Sequence, residues 1–89
     1  MATLIQKIKI ANDLSNPITL MLEPWGEDYI MLPEEVFDVV AHDTAKDFYF
    51  HIAYQAEYIS VYAEGDCHSV AVLQNENLLK CGHNREKLG

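Results

Sequence analysis

Residues 47–64 read DFYFHIAYQAEYISVYAE. Alternate positions separate into two sets: Phe48, Phe50, Ile52, Ile59, Val61 and Ala63 on one side, and Tyr49, His51, Ala53, Tyr58, Ser60 and Tyr62 on the other. A period of two is the mark of a pleated strand, whose successive side chains point to opposite faces. With a turn near Gln55-Ala56-Glu57, Ile52 falls opposite Ile59, Phe50 opposite Val61 and Phe48 opposite Ala63. The other face then pairs Tyr49 with Tyr62, His51 with Ser60 and Ala53 with Tyr58. A slip of one residue would mix the two sets, so the pattern favours this register.

The same period extends outward in both directions. Strands are predicted over 3–11, 18–23, 29–32, 36–41, 47–54, 58–63, 68–74 and 78–81. In the first, Leu4, Ile8 and Ile10 oppose Lys7 and Lys9; in the second, Ile18, Leu20 and Leu22 alternate with Thr19, Met21 and Glu23. Only EEVFDVVAHDTAKDF competes as a helix, through Val36, Val39 and Val40. Its valines and lack of a capping residue favour a strand. Short strands divided by turns every eight to twelve residues predict an all-β fold. The expected form is a small antiparallel β-sandwich or partly open barrel of seven or eight strands, jelly-roll-like in one version. Residues 1–81 are read as a single β domain and 82–89 as a flexible tail.

One turn carries the only Trp of the chain, in Glu23-Pro24-Trp25-Gly26-Glu27. Proline suits the second position of a type I turn, and a following glycine suits the left-handed conformation that completes a hairpin. Trp25 would then fold back over the end of the thin sandwich. Alternatively it stands open beside Glu23, Glu27, Asp28 and Tyr29, where an indole among carboxylates stacks on a sugar or a cation. EPWGE followed by Tyr29 resembles a segment of a group of small bacterial β-domain proteins that have no assigned activity. The resemblance spans roughly residues 12–63, and that group often has glycine where this chain has Glu34 or Glu35.

The 89 residues carry six basic and fourteen acidic side chains, a formal charge of −8. Between residues 13 and 79 the carboxylates face a single Lys46. Nucleic-acid binding draws its affinity from Lys and Arg on phosphates, so this balance excludes it as an expectation, and an anionic membrane surface likewise. The start, MATLIQKIKIAND, has no signal-peptide pattern, and no segment reaches the ~20 apolar residues of a membrane helix. A cytoplasmic location is expected, and two cysteines are too few for a disulfide scaffold.

Chemistry-bearing motifs are sparse. YIMLPEEVFDVVAHD resembles the first half of a cupin, but a cupin metal site needs a His-x-His pair with a following Glu. Here His42 and Asp43 stand apart from His51. Cys67-His68 and Cys81-Gly82-His83 lack the spacing of structural zinc pairs. Ser15, Ser60 and Ser69 lack a nucleophile elbow, and the four glycines form no phosphate loop. No catalytic residue, metal or cofactor is expected, and an enzyme is disfavoured.

The remaining signal is the tyrosine stripe. Tyr49, His51, Tyr58 and Tyr62 share an outward face, with large area and polar tips of the kind protein interfaces favour. The expected function is therefore a non-catalytic protein-binding or self-assembly β module. Its candidate binding residues are Trp25, Glu27, Tyr29, Tyr49, His51, Tyr58 and Tyr62. The alternative is a small cupin-like metal- or ligand-binding protein using His42, Asp43 and His51.

Overall fold

The computed structural model describes residues 4–80. Eight strands form: β1 (Ile5–Ala11), β2 (Ile18–Glu23), β3 (Glu27–Met31), β4 (Val36–His42), β5 (Tyr49–Tyr54), β6 (Tyr58–Glu64), β7 (Ser69–Gln74) and β8 (Asn77–Leu78). They make two four-stranded sheets, ordered β1-β4-β7-β8 and β3-β2-β6-β5. The fold is an all-β sandwich, not a closed barrel. Cys81 and the proposed tail, residues 82–89, lie outside the described residues.

Alternation places the core. In β2 the inward set Ile18, Leu20 and Leu22 is buried while Thr19, Met21 and Glu23 are half-buried. In β4, Phe37, Val39 and Ala41 are fully buried, so the segment with helical competition is a strand. Met31, Val61 and Val72 complete the most deeply buried group. Each buried residue of this size contributes roughly 1.5–3 kcal/mol of hydrophobic stabilisation. On the outer face of β1, Lys9 pairs in register with Asp38, and its Nζ lies 3.1 Å from Oδ1.

Two features of the topology correct the sequence expectation. Every pairing is antiparallel except β2 with β6, which is parallel. Parallel neighbours need a crossover connection; here the chain leaves β3 for the other sheet as β4 and returns as β5. Period-two alternation gives each strand two faces and says nothing of its partner's direction. The second correction concerns β5 and β6. The turn is Ala56-Glu57, closed by the Gln55 amide donating to the Tyr58 carbonyl at 2.9 Å. Ile52 therefore faces Val61, Phe50 faces Ala63, His51 faces Tyr62 and Tyr49 faces Glu64. This is a slide of two residues from the expected register. A slide of two keeps every side chain on its own face, so hydrophobic patterning alone cannot separate the alternatives.

The turns follow backbone chemistry. The β2–β3 hairpin reverses at the expected place but not through the expected three-residue connection. With Leu22 opposite Glu27 the loop is Pro24-Trp25, the Glu23–Pro24 bond is cis, and Gly26, at φ +69, donates its N–H to Glu23 Oε1 at 3.1 Å. Between β3 and β4, Leu32-Pro33-Glu34-Glu35 has the features of a type II turn: proline second, Glu34 at φ +71 and Glu35 N–H donating to Leu32 O at 3.1 Å. Glu34 is thus a non-glycine residue where the left-handed backbone favours glycine.

Asn12 holds this end together. Its side chain is buried and donates to the carbonyls of Asn16 and Met31, at 2.9 and 3.0 Å. Oδ1 accepts from the Leu14 amide at 2.9 Å, and the Asn12 backbone exchanges bonds with Glu34 and Glu35. The loop into β2 and the turn into β4 are thereby tied to one side chain.

Candidate binding surface

The residues singled out from sequence divide into three places. Tyr49, His51, Tyr58 and Tyr62 share the outer face of the second sheet, carried by neighbouring strands β5 and β6. His51 stacks obliquely on Tyr62, with ring centroids 5.4 Å apart, and its Nδ1 lies 3.6 Å from Glu64 Oε2. Tyr49 and Tyr58 are exposed and Tyr62 is half-buried. The small Ser60, on the same face, is buried between Met21 and Ala53 in register.

Trp25 and Glu27 belong elsewhere. The indole is 49% exposed and shares a shallow depression of about 250 Å³ with Glu27, His68, Ser69 and Val70. That depression spans the two sheets at one end of the sandwich. Half exposed as it is, Trp25 does not close the core as a plug. His68 enters this place although its spacing in the sequence, judged only against metal motifs, gave no reason to include it. The third place is the core. Tyr29 is buried beside Leu20 in register and donates from its hydroxyl to Glu27 Oε1 at 3.1 Å. Its parity with Met31, both inward on β3, removes it from any surface.

Metal chemistry finds no constellation. Among the described residues, no group of three or more His, Cys, Asp or Glu side chains is placed to hold an ion. His42 ends β4 in one sheet and His51 lies on β5 in the other, so the cupin-like set does not assemble. Burial pushes the Cys67 thiol above its ordinary pKa, and the negative charge of Asp66 adds to this. A thiol held protonated is a poor nucleophile.

Exposed strand edges are expected of a small sandwich as a second route to dimers; which edge is bare is not legible in the sequence, and it is that of β5. Sheet edges leave a row of unpaired backbone groups, and proteins blunt them with charge, proline, bulges or brevity. Among the described residues there are four such edges. β1 carries Lys7 and Lys9, β3 begins with Glu27 and Asp28, and β8 has two residues. β5, YFHIAY, has six residues without Lys, Pro, Asp or Glu. Ile52, expected inside, is 46% exposed, and Tyr54 is 78% exposed. Both point to the core side, yet the facing sheet does not reach over this outermost strand.

The phase of the β5 ladder follows from its turn. Gln55 and Tyr58 form a hydrogen-bonded pair, and bonded pairs recur at every second position of an antiparallel ladder. Ala53, His51 and Tyr49 therefore bond to β6, while Phe50, Ile52 and Tyr54 turn their amide and carbonyl groups outward. No helix among the described residues is long and apolar enough to cross a membrane. No protein-family model, curated protein or solved structure matches the chain.

Proposed function

We propose that this protein is a non-catalytic protein-binding module that docks an extended strand along β5. The observation that carries this reading is the contrast among edges: β5 alone of the four lacks a protective device while exposing Ile52 and Tyr54. Strand addition gives affinity through main-chain hydrogen bonds, and pockets or flanking side chains give specificity. Here Tyr49 and His51 flank the edge on the outer face, with Tyr62 and Tyr58 behind them. Aromatic rings at such a place supply contact area at low entropic cost.

The test uses a capped synthetic peptide of residues 48–55 with a solubilising lysine tail, as a generic strand of known β propensity. Titration by fluorescence anisotropy is expected to show saturable binding, with at least tenfold weaker binding to Ile52→Lys, about 1.4 kcal/mol or more. Ile52 is exposed, so the lysine leaves the fold intact, and a circular dichroism melt checks this. Equal binding to both proteins, or none up to about 1 mM (about 4 kcal/mol of affinity), overturns the proposal.

A further inference from the structure

We infer that the strand seated on this edge is β5 of a second copy, paired antiparallel about a two-fold axis with Ile52 opposite Ile52 of the other copy. This rests on the docking reading above and adds the identity and register of the occupant. A two-fold interface must be self-complementary, each residue meeting its counterpart under exchange of the copies. The outward-facing residues are Phe50, Ile52 and Tyr54, symmetric in number about Ile52. Reversing the strand about that residue sets Phe50 opposite Tyr54 of the second copy, Ile52 opposite Ile52, and Tyr54 opposite Phe50. All three outward pairs are apolar or aromatic, and each exchanges two N–H···O bonds. Symmetric registers centred on His51 or Ala53 leave one outward residue of each copy without a partner.

Charge points the same way, and area sets the strength. With −8 on each copy, most of the surface repels its own kind. The six residues of β5 carry no carboxylate and no cationic Lys or Arg, and His51 Nδ1 lies 3.6 Å from Glu64 Oε2 of its own chain. In the proposed register His51 meets Ala53 and Tyr49 meets Gln55, so no carboxylate within the ladder opposes another. Covering the exposed parts of Tyr49, Ile52 and Tyr54 removes roughly 300–400 Å² per copy, since an aromatic side chain buries about 150–250 Å² in full. The pair totals roughly 600–800 Å², well under the about 1,200 Å² of a standard stable interface. The dimer is accordingly weak and concentration-dependent.

Sedimentation velocity on the full chain, from about 10 μM to 1 mM, is expected to show reversible dimerisation that Ile52→Lys abolishes; that range corresponds to about 4–7 kcal/mol. Register is read by oxidative cross-linking in a Cys67→Ser/Cys81→Ser background. Ile52→Cys places two thiols on the axis with Cα atoms about 5.5 Å apart, inside disulfide range. Tyr54→Cys separates like residues by four positions, roughly 13 Å, beyond reach. Rapid cross-linking of Ile52→Cys alone supports the register, and equal cross-linking of both variants overturns it. A monomer at every concentration overturns self-pairing. If the peptide of residues 48–55 still binds in that case, strand docking stands and only the second copy is lost; if neither occurs, both readings fall.

Discussion

Phe37→Ala is expected to destabilise the protein by about 3–5 kcal/mol, the usual cost of emptying a fully buried phenylalanine site. Phe37 is 0% exposed, the first of the inward set of β4, opposite Ile10 in register. A chain of 89 residues has a total stability of about 4–13 kcal/mol, taking roughly 0.05–0.15 kcal/mol per residue. The variant therefore loses a large share of its margin. Its melting temperature should fall by about 15–30 °C, since each kcal/mol shifts a domain of this size by roughly 4–8 °C. Val36 next to it points outward and is 40% exposed, so Val36→Ala is expected to change stability by less than about 1 kcal/mol. Paired thermal and urea melts compare the two. Equal losses would mean that β4 does not alternate between core and solvent as described.

The second large effect is expected at Asn12. Asn12→Asp keeps the acceptor for the Leu14 amide but replaces the donor to Asn16 and Met31 by an oxygen that faces two carbonyls. Leaving buried polar groups unsatisfied costs about 1–3 kcal/mol each, and a buried negative charge adds to it. A loss of about 2–4 kcal/mol is expected at neutral pH. Protonating the new carboxyl restores one donor, so the deficit relative to the parent protein should shrink as pH falls. Urea midpoints of parent and variant at neutral and mildly acidic pH read this directly. A loss that is small and independent of pH would show that Asn12 does not clamp the two loops.

Such a clamp was invisible in the string NDLSNP, where Asn12 reads as one more turn former. Its role depends on Met31, nineteen positions away, which no local pattern reaches. The strands themselves were legible. β2 alternates Ile18, Leu20 and Leu22 with more polar neighbours, and its predicted and observed limits coincide. Tyr29 is legible too: its parity with Met31 marks it as inward, although its closeness in sequence to Trp25 and Glu27 suggests a surface place. The two-residue slide between β5 and β6 was not legible, because registers of equal parity bury the same faces. Decisive information lay in the turn: pairing Ile52 with Ile59 centres the loop on Gln55-Ala56, whereas the loop formed is Ala56-Glu57.

Exposure of Ile52 was out of reach for a different reason. Its neighbours along the chain mark it as a core residue, and parity does place it on the inner side. What decides its environment is the order β3-β2-β6-β5, which puts β5 last and beyond the cover of the other sheet. Edge position is a property of topology, and here topology includes a parallel pairing that alternation does not encode. The tyrosine face, by contrast, was read from sequence, and Tyr49, His51, Tyr58 and Tyr62 do share one side of one sheet.

Amide hydrogen exchange along β5, followed residue by residue by NMR at a concentration too low for association, tests the free edge most directly. The account predicts alternation: slow exchange at His51 and Ala53, which bond to β6, and exchange at least about a hundredfold faster at Phe50, Ile52 and Tyr54, because opening free energies range from near zero to the global value across one structure. Uniform protection across these five amides, or alternation of the opposite phase, would contradict it.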